Sequence, residues 1–384
     1  MTGTEAYIVA ATRTPVGRRN GGLAAAHPAD LAAHVLVEAL SRAAVDVDAV
    51  DDVIIGCVDQ AGAQASNIAR VAVLSAGLPH AVPATTIDRQ CGSSQQAVHF
   101  GAQAIMSGSQ DIVVAGGVEN MSMVPLACAT LDGEAAGHGH PRAGCGWRAR
   151  FGDVQLHQIA GAELIAEKWA ITRDDMEELA LTSHERAIAA WDNGWFDDEV
   201  TPYGDVARDE GPRRDTTREK MAALKTLTLD GLLTAAMASQ ISDGASAVVL
   251  ASRDAVERYG LTPLARVHAM TVVGSDPVTM LTGPIPATEK VLARAGLGVC
   301  DIDAFEVNEA FSPVVLAWQA ETGADRELVN PQGGAIALGH PLGCSGTRLL
   351  TTLIHHLRRT GGRWGLQAMC EGGGMANATV IEVL

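Results

Sequence analysis

Three observations predict an α/β protein whose sheet is largely parallel and covered by helices on both faces. Short apolar runs at residues 6–11, 52–58, 84–88 and 111–119 alternate with segments of helical periodicity at 30–44, 67–76 and 97–106. The composition agrees: 47% hydrophobic residues and 41 glycines with only 4% aromatics describe glycine-punctuated layers of Ala, Val, Leu and Ile. The second half also echoes the first, and 384 residues are too many for one average core, so two packed units or more are expected.

In chain order, residues 6–11 make a first strand that Pro15 and Gly17 bring to a stop. A helix follows over 30–44 with Asp30 as its N-cap, then a short buried strand at 52–58 and a helix at 67–76 closed by Gly77 and Pro79. Cys91 falls where the run 84–88 gives way to the next helix. Free amides at a helix N-terminus favour thiolate over thiol, so this position is expected to ease its ionisation. The alternative is a buried structural thiol. Residues 111–119 are a strand running into Gly116-Gly117.

The texture changes from 121 to 240. Residues 132–151 are rich in Gly, His and Arg without periodicity, and 174–191 form a charged amphipathic helix, which together suggest an inserted subdomain. Regular patterning returns at 246–250. The echo then begins: Leu40-Ser41-Arg42-Ala43 has a counterpart in Leu292-Ala293-Arg294-Ala295. Cys91-Gly92-Ser93-Ser94, with Gly116-Gly117 beyond it, is matched by Gly343-Cys344-Ser345-Gly346, with Gly372-Gly373-Gly374 beyond it. A duplication would make the helices starting near Cys91 and Gly346 equivalents that meet close to a pseudo-two-fold axis.

A formal net charge of -17 argues against nucleic acid as a partner. The seven cysteines (57, 91, 128, 145, 300, 344, 370) form no CxxC pair and are odd in number, which fits free thiols in a reducing compartment. No apolar run reaches membrane-span length, and no basic stretch precedes an apolar one at the N-terminus. A cytoplasmic location without a membrane partner is therefore expected. No metal is expected either: His138 and His140 lack further ligands, and His355-His356 on one helix point apart, so surface or oligomer contacts are their expected use.

Two further stretches bear chemistry. His340 stands alone among the glycines of residues 330–343, where the backbone admits a substrate closely and Pro341 stiffens the turn. Cys370 ends a strand before three glycines whose amides could bind an oxyanion or could simply turn the chain. Two cysteines and a histidine suit the making or breaking of a carbon–carbon bond beside a thioester. One thiolate takes the acyl group, a second acid/base moves a proton at the α-carbon, and donors hold the oxyanions. Asn308 could be such a donor, or could cap a turn.

With Cys91-Gly92-Ser93-Ser94, Asn308-Glu309-Ala310-Phe311, residues 333–341, Cys370-Glu371-Gly372-Gly373-Gly374 and residues 117–122 in view, the chain resembles the thiolase family over nearly its whole length. The resemblance implies a five-layered α-β-α-β-α arrangement of two similar βαβαβαββ halves. Residues 1–120, completed by 241–268, would form the first half, 121–240 an inserted loop domain, and 269–384 the second half. It implies Cys91 as the acylated nucleophile, His340 as its base and Cys370 as the proton shuttle. Asn308, through a water, would share one oxyanion hole with His340, and the amides of Cys91 and Gly372 would form the other.

The implied reaction is CoA-dependent cleavage of a 3-ketoacyl-CoA by a homodimer or homotetramer. Coenzyme A and acyl-CoA would serve as co-substrate and substrate, with no permanently bound cofactor. Alternatives are a biosynthetic acetoacetyl-CoA thiolase and a decarboxylating condensing enzyme of related fold. A non-catalytic assembly protein of this fold is a further rival, but it would be expected to have lost the nucleophile or the histidine. An acidic chain that binds CoA needs a local basic patch, for which Arg213 and Lys220 are the candidates, two of the chain's four lysines lying at 220 and 225. Ser239 would line the pantetheine tunnel. Ala236-Met237-Ala238-Ser239 and Ser94-Gln95-Gln96 depart from the commoner family pattern, and acyl specificity is where those departures are expected to tell.

Overall fold

The computed structural model describes residues 5–152, 154 and 156–384. The chain begins with β1 (Ala6–Arg13), β2 (Gly17–Arg18), α1 (Pro28–Ala43), β3 (Asp52–Gly56) and α2 (Ile68–Ser75). It continues through β4 (Ala84–Ile87), α3 (Ser93–Met106) and β5 (Ile112–Asn120). Between β5 and the next long strand lie α4 (Cys128–Ala135), α5 (Cys145–Phe151), α6 (Gln158–Lys168), α7 (Arg173–Asp192) and α8 (Arg218–Ala222). Then come β6 (Ser242–Ser252), α9 (Arg253–Tyr259), β7 (Ala265–Gly274), α10 (Pro284–Ala295) and β8 (Ala304–Val307). The chain ends with α11 (Ser312–Thr322), α12 (Ala335–Leu338), α13 (Ser345–Thr360), β9 (Trp364–Glu371) and β10 (Met375–Val383).

Local chemistry moves several expected boundaries. Helix α1 starts before Asp30: His27 is the N-cap, its side chain accepting from the Ala29 amide, and Pro28 takes the first helical position, where a missing N–H costs nothing. Asn67, expected as the first residue of a helix, is instead the N-cap of α2, its side chain accepting from the Arg70 amide. Helix α7 opens on a reciprocal capping box between Thr172 and Asp175. The aperiodic stretch 132–151 does contain helices, α4 and α5, but neither buries a residue, which is why no apolar period marks them.

The strands join in the order β4-β3-β5-β6-β1-β7-β10-β9-β8, with β2 pairing off β6. Reading outward from the β1–β7 contact, each half repeats the same pattern. β6 and β10 run antiparallel to both neighbours. β3 pairs parallel with β5, as β8 does with β9. Where β4 lies parallel to β3, a single bridge from Val329 lies parallel to Phe305 of β8. The internal echo is thus a topological duplication in a layered α/β fold, but the sheet is mixed rather than largely parallel: among the described strands only the β3–β4, β3–β5 and β8–β9 pairings are parallel, and the tight turn joining β9 to β10 forces those two to run antiparallel.

Helices α3 and α13 pack on each other as the central layer, α1 and α2 cover the first half of the sheet, and α10 covers the second. The equivalence shows in one hydrogen bond: Ser94 Oγ, in the first turn of α3, accepts from the amide of Thr347 in the first turn of α13, at 3.0 Å. Distinct apolar clusters fill the spaces outside and between the layers. Among the described residues, no helix is long and apolar enough to cross a membrane.

Candidate active site

The turn into α3 is set by Gln90, whose φ of 49° is left-handed. Ser93 Oγ donates to the Gln90 carbonyl at 2.6 Å and accepts from the Arg89 amide at 2.9 Å. These bonds offset the roughly 1–2 kcal/mol that such a conformation costs a non-glycine residue. Cys91, next in the chain, is buried among Met121, Leu342, Leu349 and Met369. The amides of Cys91 itself and of Gly372 are both directed at its sulfur.

The expected easy ionisation of Cys91 is corrected by the structure. Burial pushes the thiol up to about 12, the Glu371 carboxyl adds to the rise, and the two amides oppose it only in part. A helix terminus supplies at most about 2 kcal/mol, whereas withdrawing a thiolate from water costs more.

Cys370 lies on β9, fully buried, and its thiol is raised well above the ordinary range by burial first and by Cys91 next, so the two sulfurs feel each other directly. Gly373 (φ 86°) and Gly374 (φ 80°) reverse the chain from β9 into β10, a turn that two consecutive left-handed residues require. Gly372 opens that turn, between the paired Glu371 and Met375, and its amide is on Cys91.

Asn308 follows β8, and its amide donates to the Ala368 carbonyl at 3.0 Å, which sets it beside β9. Its side-chain amide points to Cys370 and also lies 3.4 Å from His340 Nε2. His340 is buried, and its backbone amide donates to the Gln240 carbonyl at 3.1 Å. Its Nδ1 is 2.6 Å from Ser345 Oγ, which donates to the Pro341 carbonyl at 2.8 Å. A hydroxyl has one proton to give, so Nδ1 carries the imidazole hydrogen and Nε2 keeps its lone pair. Burial, and then Arg348, hold the ring down at about 3, so it is neutral at physiological pH. Cys91, Gly372, Cys370, Asn308 and His340 thus form one continuous set of neighbours.

Some supporting groups had no separate signal in the sequence. Buried Glu309 accepts from Ser183 Oγ (2.7 Å), Asn330 Nδ2 (3.0 Å) and the Ile336 amide (3.1 Å), fastening the loop that leads to His340. Glu119 does the same for the loop after His340, accepting from the amides of Gly343, Val58 and Asp59. Glu309 stands in a motif already noted, but only the fold shows what it ties.

A cavity of about 170 Å³ opens nearby, with Arg213, Lys220, His184, Met221, Leu224 and Gln240 among its walls. The expected basic patch is largely self-neutralised: Arg214 pairs with Asp192, Arg218 with Glu178 and Lys220 with Asp215. Arg213 has no carboxylate partner among the described residues, and its amide donates to His184 Nδ1 at 3.1 Å. Ser239 is not a wall of this cavity. Ala238 and Gln240 are, and in extended backbone the residue between them faces the other way, its amide donating to the Ala310 carbonyl at 3.0 Å.

Met237 is fully buried in an apolar cluster that includes Cys370 and Phe311. Gln95 is not at the substrate side: it reaches Thr379 Oγ1 at 2.7 Å, joining α3 to β10. His355 and His356 are not surface groups either, since both are half-buried and bond within the chain, to the Ala11 carbonyl and to Gln332. Among the described residues, no three His, Cys, Asp or Glu side chains gather as a metal site.

Comparison with known proteins agrees with this geometry. The family models "Thiolase, N-terminal domain" and "Thiolase, C-terminal domain" match residues 6–254 and 261–383. The chain is 56% identical over 386 residues to steroid 3-ketoacyl-CoA thiolase FadA6 of Mycobacterium tuberculosis, covering 99% of this chain and 95% of that protein. It is 43% identical over 399 residues to beta-ketoadipyl-CoA thiolase of Pseudomonas aeruginosa, covering 98% and 99%. The crystal structure of Bacillus anthracis acetyl-CoA acetyltransferase superposes with a TM-score of 0.91 at 38% identity, over 100% of this chain and 99% of that one. Human mitochondrial 3-ketoacyl-CoA thiolase in complex with CoA gives 0.90 at 38% identity, over 99% and 98%. Two family models that together span almost every residue, on a duplicated sheet with two sulfurs and an imidazole at its centre, establish that the chain belongs to the thiolase family.

Proposed function

We propose that this chain is an acyltransferase that cleaves a 3-ketoacyl-CoA with free CoA, giving acetyl-CoA and a shortened acyl-CoA, by the reverse of a Claisen condensation. The observation that carries the reading is the run of contacts from the Cys91 sulfur, through the Gly372 amide, Cys370 and Asn308, to His340 Nε2.

In the first half-reaction the Cys91 sulfur attacks the 3-keto carbon as its proton passes to His340 Nε2. A thiol pushed up to about 12 and a base held down at about 3 leave the thiol protonated before attack, so proton transfer and bond formation go together. The amides of Cys91 and Gly372 take the oxyanion. The bond between the 2- and 3-carbons breaks, Cys370 gives its proton to the 2-carbon, and acetyl-CoA leaves. In the second half-reaction the thiol of CoA loses its proton to Cys370 and attacks the acyl-Cys91 thioester, and the cysteine recovers its proton. Asn308 and His340 hold the thioester oxygen of the departing enolate.

Arg213 is the best-supported contact for the phosphates of CoA, with Lys220 second because Asp215 already holds it. The assignment of Ser239 to the pantetheine arm rests on the family resemblance alone, since the residue is not a wall of this cavity. The proposal includes the division into 1–120 with 241–268, 121–240 and 269–384. It also includes a homodimer or homotetramer, which the unpaired outer edge of β4 supports. Identity to a protein named for steroid substrates supports a bulky acyl group. A panel of 3-ketoacyl-CoA thioesters from four-carbon to steroid-sized, run with Cys91→Ala as control, tests the reading. Turnover surviving in Cys91→Ala, or consumption of malonyl thioester by the native chain, overturns it.

A further inference from the structure

Glu371 ends the strand that carries Cys370. It is fully buried, yet neither carboxyl oxygen has a hydrogen-bond partner among the described residues. The carboxyl lies against the head of α3: a β-carbon at Gly92 would fall 2.0 Å from Glu371 Oε1 and 2.9 Å from Asn377 Oδ1. It fills the space that the missing side chain of Gly92 leaves, one residue from Cys91. None of the contacts described for catalysis uses it.

The groups around it come from every neighbouring element. The loop between β4 and α3 contributes Asp88, Arg89 and Cys91, α3 contributes the buried, neutral His99, β9 contributes Cys370, and β10 contributes the uncharged Asn377. Arg89 is the only cation of this set, and no ion pair joins it to Glu371 among the described residues; its Nε is itself without a partner. A carboxylate buried with neither hydrogen bond nor ion pair is costly, so the protonated acid is the resting form at neutral pH. Burial raises Glu371 to about 8, with Arg89 pulling down and Asp88 pushing up.

We infer that Glu371 is a positioning residue for the nucleophile: as a neutral acid it leaves negative charge at Cys91 unopposed, and as a carboxylate it opposes that charge and caps the reactivity of Cys91 on the alkaline side. The inference rests on the reading of Cys91 as the nucleophile. The sign is fixed by the order of titration. Below about pH 8 the acid is neutral, and the Cys91 thiolate grows about tenfold per pH unit, as for any thiol far below its own titration. Above it, each ionised Glu371 makes the neighbouring thiolate harder to form. The same carboxylate would oppose the oxyanion held between the Cys91 and Gly372 amides.

The test is alkylation of the full chain by iodoacetamide without substrate, with the Cys91 adduct quantified by peptide mapping between about pH 6 and 10. The native profile is expected to bend near pH 8, and Glu371→Gln to rise without a bend, matching the native rate near pH 6 and exceeding it by about tenfold near pH 9.5. Arg89→Gln removes the cation that lowers Glu371, so its bend should move to higher pH. A straight native profile, parallel native and Glu371→Gln profiles, or a bend unmoved in Arg89→Gln overturns the inference. Because no turnover is measured, these outcomes stand apart from the Cys91→Ala test of the reaction itself.

Discussion

His340 Nδ1 and Ser345 Oγ lie 2.6 Å apart, and the hydroxyl donates its own hydrogen bond to the Pro341 carbonyl at 2.8 Å. One serine in the first turn of α13 therefore fixes which nitrogen of the imidazole is free. The Nε2 lone pair is turned towards the Asn308 side-chain amide, 3.4 Å away, with no carboxylate partner among the described residues.

Ser345→Ala removes the acceptor that holds Nδ1–H. Loss of one buried hydrogen bond of this kind is worth about 1–3 kcal/mol. Steady-state kinetics should show kcat reduced by about 10- to 100-fold with KM for CoA little changed, and Ser345→Thr should recover part of the loss. Equal kcat in Ser345→Ala and the native chain would remove the serine from any role in setting the tautomer.

Cys370→Ala should separate the half-reactions. Cys91 keeps its amide donors and His340 in this variant, so mixing with acetyl-CoA should still add one acetyl group to Cys91 by intact mass, but more slowly than in the native chain, because Cys370 no longer protonates the departing CoA thiolate. Condensation and thiolysis should fall by at least about 1000-fold, because no other group is placed to move the α-carbon proton. A variant that retains thiolysis would show that another acid/base serves that carbon.

The pH dependence follows from His340. Its value is depressed from the ordinary 6.5 to about 3, so the base stays unprotonated through mildly acid solution. Acylation of Cys91 should show no loss with a midpoint near 6.5. The same depression means that folding stability from this ring is complete above 6.5 and is lost as pH falls towards 3. A rapid-mix acylation profile with an inflection near 6.5 would contradict the burial argument.

Glu309→Ala leaves Ser183, Asn330 and the Ile336 amide without their common acceptor. Stability should drop by about 3–5 kcal/mol, read as a lowered thermal midpoint, and activity should fall further because the loop to His340 loosens. Glu309→Gln keeps part of the set and should lie between.

Arg213→Ala should raise KM for CoA by about tenfold with kcat nearly intact, whereas Lys220→Ala should change it less than about threefold, since Asp215 already neutralises that lysine. The reverse ranking would place the phosphates on the other side of the cavity.

Several features of this protein were legible without coordinates. Alternating apolar runs and the echo of Cys91-Gly92-Ser93-Ser94 in Gly343-Cys344-Ser345-Gly346 marked the duplication, and the glycines near Cys91, His340 and Cys370 singled these residues out as candidates, because strand and helix periods and turn glycines are written locally. The tertiary structure alone decided what surrounds them. Cys91 was expected to ionise easily from its place at a helix start, yet burial outweighs the helix field and raises it. Ser239 sat in a promising motif but faces away from the cavity, since one residue in an extended stretch reverses the side. Ser345, Glu309 and Glu371 gained their meaning from neighbours in space that lie 5, 126 and 279 positions away along the chain. Electrostatics and hydrogen bonding depend on distance in space and on exclusion of water, and neither is a property of neighbouring letters.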